Sequence, residues 1–244
     1  MISETKLPQF LPKILTLTEL NKQTLLTDSF LLDEEYDLHM YYAPHNEYIN
    51  TEAKIIIIGI TPGWNQMKTA YSRLVKSINE GEDLEKMLKS AKIAASFSGT
   101  MRKNLIVMLD KIGLAEVLNI DSSSQLFSTY RPYLHTTSVI KYPVFYQGKN
   151  YTGHTPTIDQ SKLLKRYAYE VFPNELAQIT EPALVIPLGK ATENVIRTVQ
   201  SKNEQHTYLY GFPHPSGANG HREKQFKQNQ KQLENKIEIW RNSR

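Results

Sequence analysis

The chain has 244 residues, 29 Lys and Arg against 25 Asp and Glu, a net charge of +4, and no cysteine. That length carries one substantial α/β core, and the missing thiols exclude a disulfide framework, a thiolate zinc site and a cysteine-held iron–sulfur cluster. The charge excess is mild for the length and by itself only admits an acidic partner.

Along the first 50 residues no basic segment precedes a long apolar run, so neither a targeting nor a membrane-spanning segment is expected there. This stretch reads as an appendage packed on one domain covering 1–244, because no Gly/Ser-rich or Pro-rich linker divides the sequence. The longest apolar run, Ile55 to Ile58, is strand-sized and too short to cross a bilayer. With reducing conditions compatible with a cysteine-free chain, the expectation is a soluble cytoplasmic protein.

Ala53 to Ile58 is a β-branched run without alternation, as a central strand covered on both faces should be. A helix is predicted over about 66–92, with Tyr71, Leu74, Val75 and Ile78 at helical spacing, and another over about 101–112, with Leu105, Met108, Leu109 and Ile112 on one face. An extended segment follows from Tyr133 to Tyr142, ended by Pro143. Leu163 to Ile179 reads as helix interrupted at Pro173, and Ala183 to Leu188 as a second buried strand. Gly189 opens a helix holding Ala191, Val195 and Val199, and His206 to Tyr210 is a last strand. Phe226, Leu233, Ile237 and Trp240 then mark one face of a C-terminal helix. Strands alternating with helices predict a mainly parallel sheet between helical layers, with ligands beyond the carboxyl ends of the strands.

Two stretches are locally basic. His221 to Arg244 holds seven Lys and Arg against three Glu. Lys141 to His154 mixes Lys141, Lys149 and His154 with Tyr142, Phe145, Tyr146 and Tyr151 and has no acid. Those aromatics either stack on exposed bases or pack on a sheet edge, and the sequence leaves both open.

Two loops carry the candidate chemistry. Gly59-Ile60-Thr61-Pro62-Gly63 follows a buried strand directly, a tight turn at which backbone can approach a ligand closely. In His214-Pro215-Ser216 the histidine stands between two prolines, so its imidazole is aimed from a restricted backbone.

Together and in this order, the two loops resemble the signature motifs of the uracil-DNA glycosylase superfamily. The likeness runs as short spaced motifs from Lys54 to Arg222. Phe97-Ser98-Gly99 is similar to the superfamily's Phe-x-Gly element, and Leu188-Gly189-Lys190-Ala191-Thr192 to its Leu-Gly-x-x-Ala turn. Ser138 falls at a strand end where many members have an Asn. The resemblance implies a three-layer α/β/α sandwich around a mainly parallel four-stranded sheet. It also implies hydrolysis of the N-glycosidic bond of a uracil or other damaged base flipped out of DNA. Phe97 would stack on the base, main chain at Ile60 and the Ser138 hydroxyl would meet its edge, and His214 would donate to the base oxygen where charge develops. Thr61 stands where several branches place a water-positioning Asp or Asn. Lys141, Asn219, His221 and Arg222 are the candidates for DNA contact. No metal and no cofactor is implied.

Three departures bear on activity. Thr61 is a poor general base at neutral pH. Ser138 offers one hydroxyl where an amide would present a donor and an acceptor. Gly217-Ala218-Asn219-Gly220 lacks the bulky apolar wedge that commonly fills the gap left by a flipped base. The alternatives are accordingly a non-catalytic nucleic-acid binder on the same scaffold, or a hydrolase of a free nucleoside or nucleotide.

Overall fold

The computed structural model describes residues 5–242. In chain order, α1 (Leu7–Leu15) and α2 (Lys22–Leu25) precede a hairpin of β1 (Leu31–Glu35) and β2 (Leu38–Tyr41). Then come β3 (Ile55–Gly59), α3 (Trp64–Asn79), α4 (Leu84–Ala95), α5 (Thr100–Lys111) and α6 (Leu114–Leu118). β4 (Leu134–Ser138), β5 (Val144–Tyr146) and β6 (Lys149–Asn150) follow, and after them α7 (Lys162–Arg166) and α8 (Phe172–Leu176). The chain ends with β7 (Leu184–Pro187), α9 (Lys190–Val199), β8 (Thr207–Tyr208) and α10 (Arg222–Asn242).

These elements form two compact units. Asn50–Gly59, Gly99–Thr137 and Leu176–Arg244 make up one of them. It is organised by a four-stranded sheet in the order β4-β3-β7-β8. β3 and β7 run parallel with Ile55 opposite Leu184 and Ile58 opposite Pro187, and β7 and β8 run parallel with Val185 opposite Tyr208. Beside β3, Lys54 N–H donates to Tyr133 O at 2.9 Å and Ile140 N–H to Ile60 O at 2.9 Å, so β4 advances in the same direction. The parallel α/β sheet predicted from the sequence is therefore present. Ile55 to Ile58 and Leu184 to Ile186 are all fully buried, which is why neither strand alternates in sequence. Phe226, Leu233, Ile237 and Trp240 of α10 are buried, as their helical spacing requires.

The other unit comprises the described part of Met1–Ile49 with Ile60–Ser98 and Ser138–Glu175. Its antiparallel sheet, in the order β1-β2-β5-β6, pairs the N-terminal hairpin with residues 144–150, where Met40 faces Val144 and Phe145 faces Asn150. This sheet was not foreseen, and it decides the fate of the basic aromatic stretch. Tyr142, Phe145 and Tyr151 are buried, so they pack and are not displayed for stacking, while Lys149 is exposed. The carboxylate of Glu47, itself buried, ties the N-terminal stretch in by accepting from Thr5 Oγ1 (2.7 Å), Lys6 N–H (3.0 Å), Tyr42 OH (3.0 Å) and Tyr142 OH (2.7 Å).

Two helix boundaries differ from expectation. The helix expected over 66–92 is two helices, because Gly81 takes φ +67 and Asp83 starts α4 afresh by accepting Lys86 N–H at 2.9 Å. Pro173, conversely, does not interrupt its helix. It lacks an N–H for the carbonyl four residues back, and a π turn at Tyr167–Val171, with Phe172 N–H reaching Tyr167 O, absorbs the misfit. Among the described residues no helix is long and apolar enough to cross a membrane.

Candidate functional site

In the unit holding the antiparallel sheet, Ile60 is buried and its carbonyl accepts Ile140 N–H at 2.9 Å. The Thr61 hydroxyl donates to Tyr142 O at 2.9 Å and accepts Val144 N–H at 3.2 Å. Its proton is thus directed at a carbonyl, and the side chain staples the loop to the start of β5. Pro62 is buried and Gly63 half-buried at the head of α3. That helix start is closed by protein groups: Gln66 Oε1 accepts Gly63 N–H at 3.1 Å and Asn150 Oδ1 accepts Trp64 N–H at 3.0 Å.

Phe97, in the same unit, is 5 % exposed and has φ +47. A bulky residue in the left-handed region costs of order 1–3 kcal/mol, a strain that persists only where the surroundings dictate it and that clusters at functional positions. The turn from α4 into α5 imposes it, since Ser98 N–H donates back to Ala95 O at 3.1 Å and Gly99 follows at φ +82. Ser138 is the last residue of β4 and is buried. Lys141 is half-buried, and its carbonyl accepts Asn46 Nδ2 at 3.0 Å.

The second loop lies in the unit holding the parallel sheet. Leu188 N–H donates to Ile58 O at 2.9 Å and Gly189 N–H to Phe212 O at 2.9 Å, which brings the segment ahead of His214 to the carboxyl ends of β3 and β7, beside Gly59. A Cβ placed on Gly189 would come within 3.0 Å of His214 Cβ, and Gly189 has φ +82. Nothing else can occupy position 189 without moving the histidine or straining the chain.

Backbone of the His214-Pro215-Ser216 loop is held at every step. Asn219 Nδ2 donates to His214 O at 3.1 Å, Asn104 Nδ2 to Pro215 O at 2.8 Å, and Arg222 Nη1 to Ser216 O at 3.1 Å. Ser216 N–H donates to His214 Nδ1 at 3.2 Å. An imidazole nitrogen that accepts carries no proton, so the neutral ring keeps its proton on Nε2. His214 is half-buried and presents a donor on a braced frame. Asn219 and Arg222 direct hydrogen bonds at this loop, whereas His221 is exposed.

Sequence reasoning missed Asn104, Asn150 and Glu193. Glu193 is buried and its Oε2 accepts Gly211 N–H at 2.8 Å, fixing the entry to the loop. Burial by itself would raise its carboxyl, but the Gly211 N–H and the Arg197 and Lys190 side chains hold it below the usual carboxylate range. No spacing announces these partners, since each acts across the fold. Among the described residues no group of three or more His, Asp or Glu side chains could hold a metal ion.

The sequence model for the uracil DNA glycosylase superfamily matches residues 47–242. The chain belongs to that superfamily. A protein of Bacillus subtilis (strain 168), printed as "Uncharacterized protein YoxB", is 52% identical over 240 residues, covering 97% of this chain and 94% of its own length. No solved structure matches the chain significantly. Membership makes the scaffold glycosylase-like, and the α/β class with its parallel sheet is the one the superfamily resemblance implied.

The Gly189 packing gives a test that needs no substrate. Gly189→Ala is expected to lose about 1–3 kcal/mol of stability, from the strained φ and the collision with His214. Gly217→Ala, whose Cβ would enter open space, should stay within about 0.5 kcal/mol of wild type. Urea melts measure both, and imidazole resonances should shift for His214 in the first variant only.

Proposed function

We propose that the chain is an N-glycosylase that hydrolyses the bond between deoxyribose and a uracil or other damaged base extruded from DNA. The observation that carries this reading is the hydrogen bond from Ser216 N–H to His214 Nδ1, which leaves Nε2–H as a donor. As the C1′–N bond breaks, its electron pair goes to the base, and the negative charge spreads onto the base oxygens. A fixed N–H aimed at such an oxygen stabilises the transition state more than the ground state, by about 3–4 kcal/mol in a water-poor site. Water then attacks C1′, leaving an abasic sugar and a free base.

In this reading Phe97 stacks on the base, and its strained backbone fixes the ring's direction without a cost at binding. N–H groups at Ile60 and Thr61 and the Ser138 hydroxyl meet the base edge. Thr61 positions the loop through Tyr142 and Val144 and does not act as a base. DNA is the partner.

One observation favours a second reading, a binder without chemistry: the 59–63 loop holds no carboxylate, and the Thr61 hydroxyl proton is committed to Tyr142 O. The two separate in one assay. Purified protein is incubated with labelled oligonucleotides carrying uracil, hypoxanthine, xanthine or a thymine mismatch, and abasic sites are cleaved with alkali. Strand cleavage on at least one of them is the expected result. DNA binding with no cleavage on any would hand the site to the binder.

A further inference from the structure

The charge of this protein is concentrated in one element. Residues 221–244 contain seven Lys and Arg against three Glu, and elsewhere 22 basic and 22 acidic side chains cancel, so the whole excess of +4 lies in and around α10. Within α10, Phe226, Leu233, Ile237 and Trp240 face inward. At roughly 100° per residue, Lys224, Lys227 and Lys231 fall on the opposite side, and all three are exposed. None of the three has an ion-pair partner among the described residues. The acids of this helix lie elsewhere, Glu234 accepting from Gln230 Nε2 at 2.8 Å and Glu238 pairing with Arg241 at 3.7 Å. Gln228, Gln232 and Asn235 complete the outer face, adding hydrogen-bonding groups without negative charge.

This row is tied to the His214 loop. Arg222 Nη1 holds Ser216 O at 3.1 Å, Asn219 Nδ2 reaches Gln225 Oε1 at 3.1 Å, and Asn229 Nδ2 holds Gly211 O at 2.7 Å. The first two turns of α10 therefore grip both ends of the loop. From Lys224 to Lys231 the helix rises about 10 Å, comparable to three axial phosphate intervals of about 3.4 Å on one DNA strand.

We propose that Lys224, Lys227 and Lys231 form a phosphate track that leads DNA away from the His214 loop along the outer face of α10. The proposal rests on DNA being the partner and is independent of whether a base is released. It also offers a grip that does not require an apolar wedge after Ser216, since backbone charge neutralisation, with release of counterions, supplies the affinity.

The test is the salt dependence of DNA binding by the full chain, read by fluorescence anisotropy between 50 and 200 mM salt. Replacing all three lysines with Gln (K224Q, K227Q, K231Q) should make the slope of log Kobs against log salt shallower by about 2–3, at roughly 0.7–0.9 for each phosphate contact. A control removing three exposed lysines of the other unit (K68Q, K76Q, K165Q) should leave the slope unchanged. His214→Ala should also keep the wild-type slope, so loss of chemistry and loss of the track are read separately. An unchanged slope in the α10 variant, or an equal change in the control, overturns the track.

Discussion

His214→Ala is expected to lower base release by about two to three orders of magnitude, the effect of removing one donor aimed at developing charge. Stability should fall little. The ring is half-buried, and what the loop loses is the acceptor for Ser216 N–H, a bond worth about 0.5–1.5 kcal/mol that water can partly replace. His214→Asn distinguishes chemistry from loop order. An Asn carbonyl can accept the N–H two residues on, as in an Asx turn, so the loop stays closed while the Nε2–H donor is gone. Both variants should therefore lose base release alike and keep wild-type affinity for DNA. Single-turnover release rates on the oligonucleotide that wild type cleaves would measure this, and a loss under threefold in both would remove His214 from the chemistry.

A second large effect lies away from the site, at His45. This side chain is buried, and neither ring nitrogen has a hydrogen-bond partner among the described residues. Burial, and secondarily the Lys92 charge, push its pKa from 6.5 down to about 3. Above pH 6.5 the ring is neutral in both folded and unfolded chains and contributes no pH dependence. Between 6.5 and about 3 the unfolded chain takes up a proton that the folded chain refuses. Stability then falls as the pH drops, by about 1.4 kcal/mol per pH unit, or about 2 kcal/mol at pH 5. His45→Leu removes the term. Urea melts at pH 7.5 and 5.0 should show the loss between the two pH values reduced by about 2 kcal/mol in the variant. Equal losses in the two proteins would show that His45 is not the group that titrates.

The parallel sheet was legible because its strands are buried on both faces, and four consecutive isoleucines at 55–58 need no partner to be recognised. The antiparallel sheet was not. β1 includes Asp33, Glu34 and Glu35, and its neighbours β5 and β6 lie over a hundred positions away, so no local period betrays it. The same distance hid the caps: Asn150 closes the start of α3 from 86 positions along the chain. At the site, the two loops could be read as motifs because their glycines and prolines are local constraints. The positive φ of Phe97, the proton position on His214 and the Gly189 contact could not, since each is set by tertiary packing.

The Thr61 staple also constrains how this branch of the superfamily can change. A hydroxyl suits the position because it gives a proton to Tyr142 O and takes one from Val144 N–H. A carboxylate could do only the second and would set one negative oxygen against another. Acquiring an acid at residue 61 thus demands a companion substitution that turns the Tyr142 carbonyl aside, and drift one residue at a time meets a barrier there.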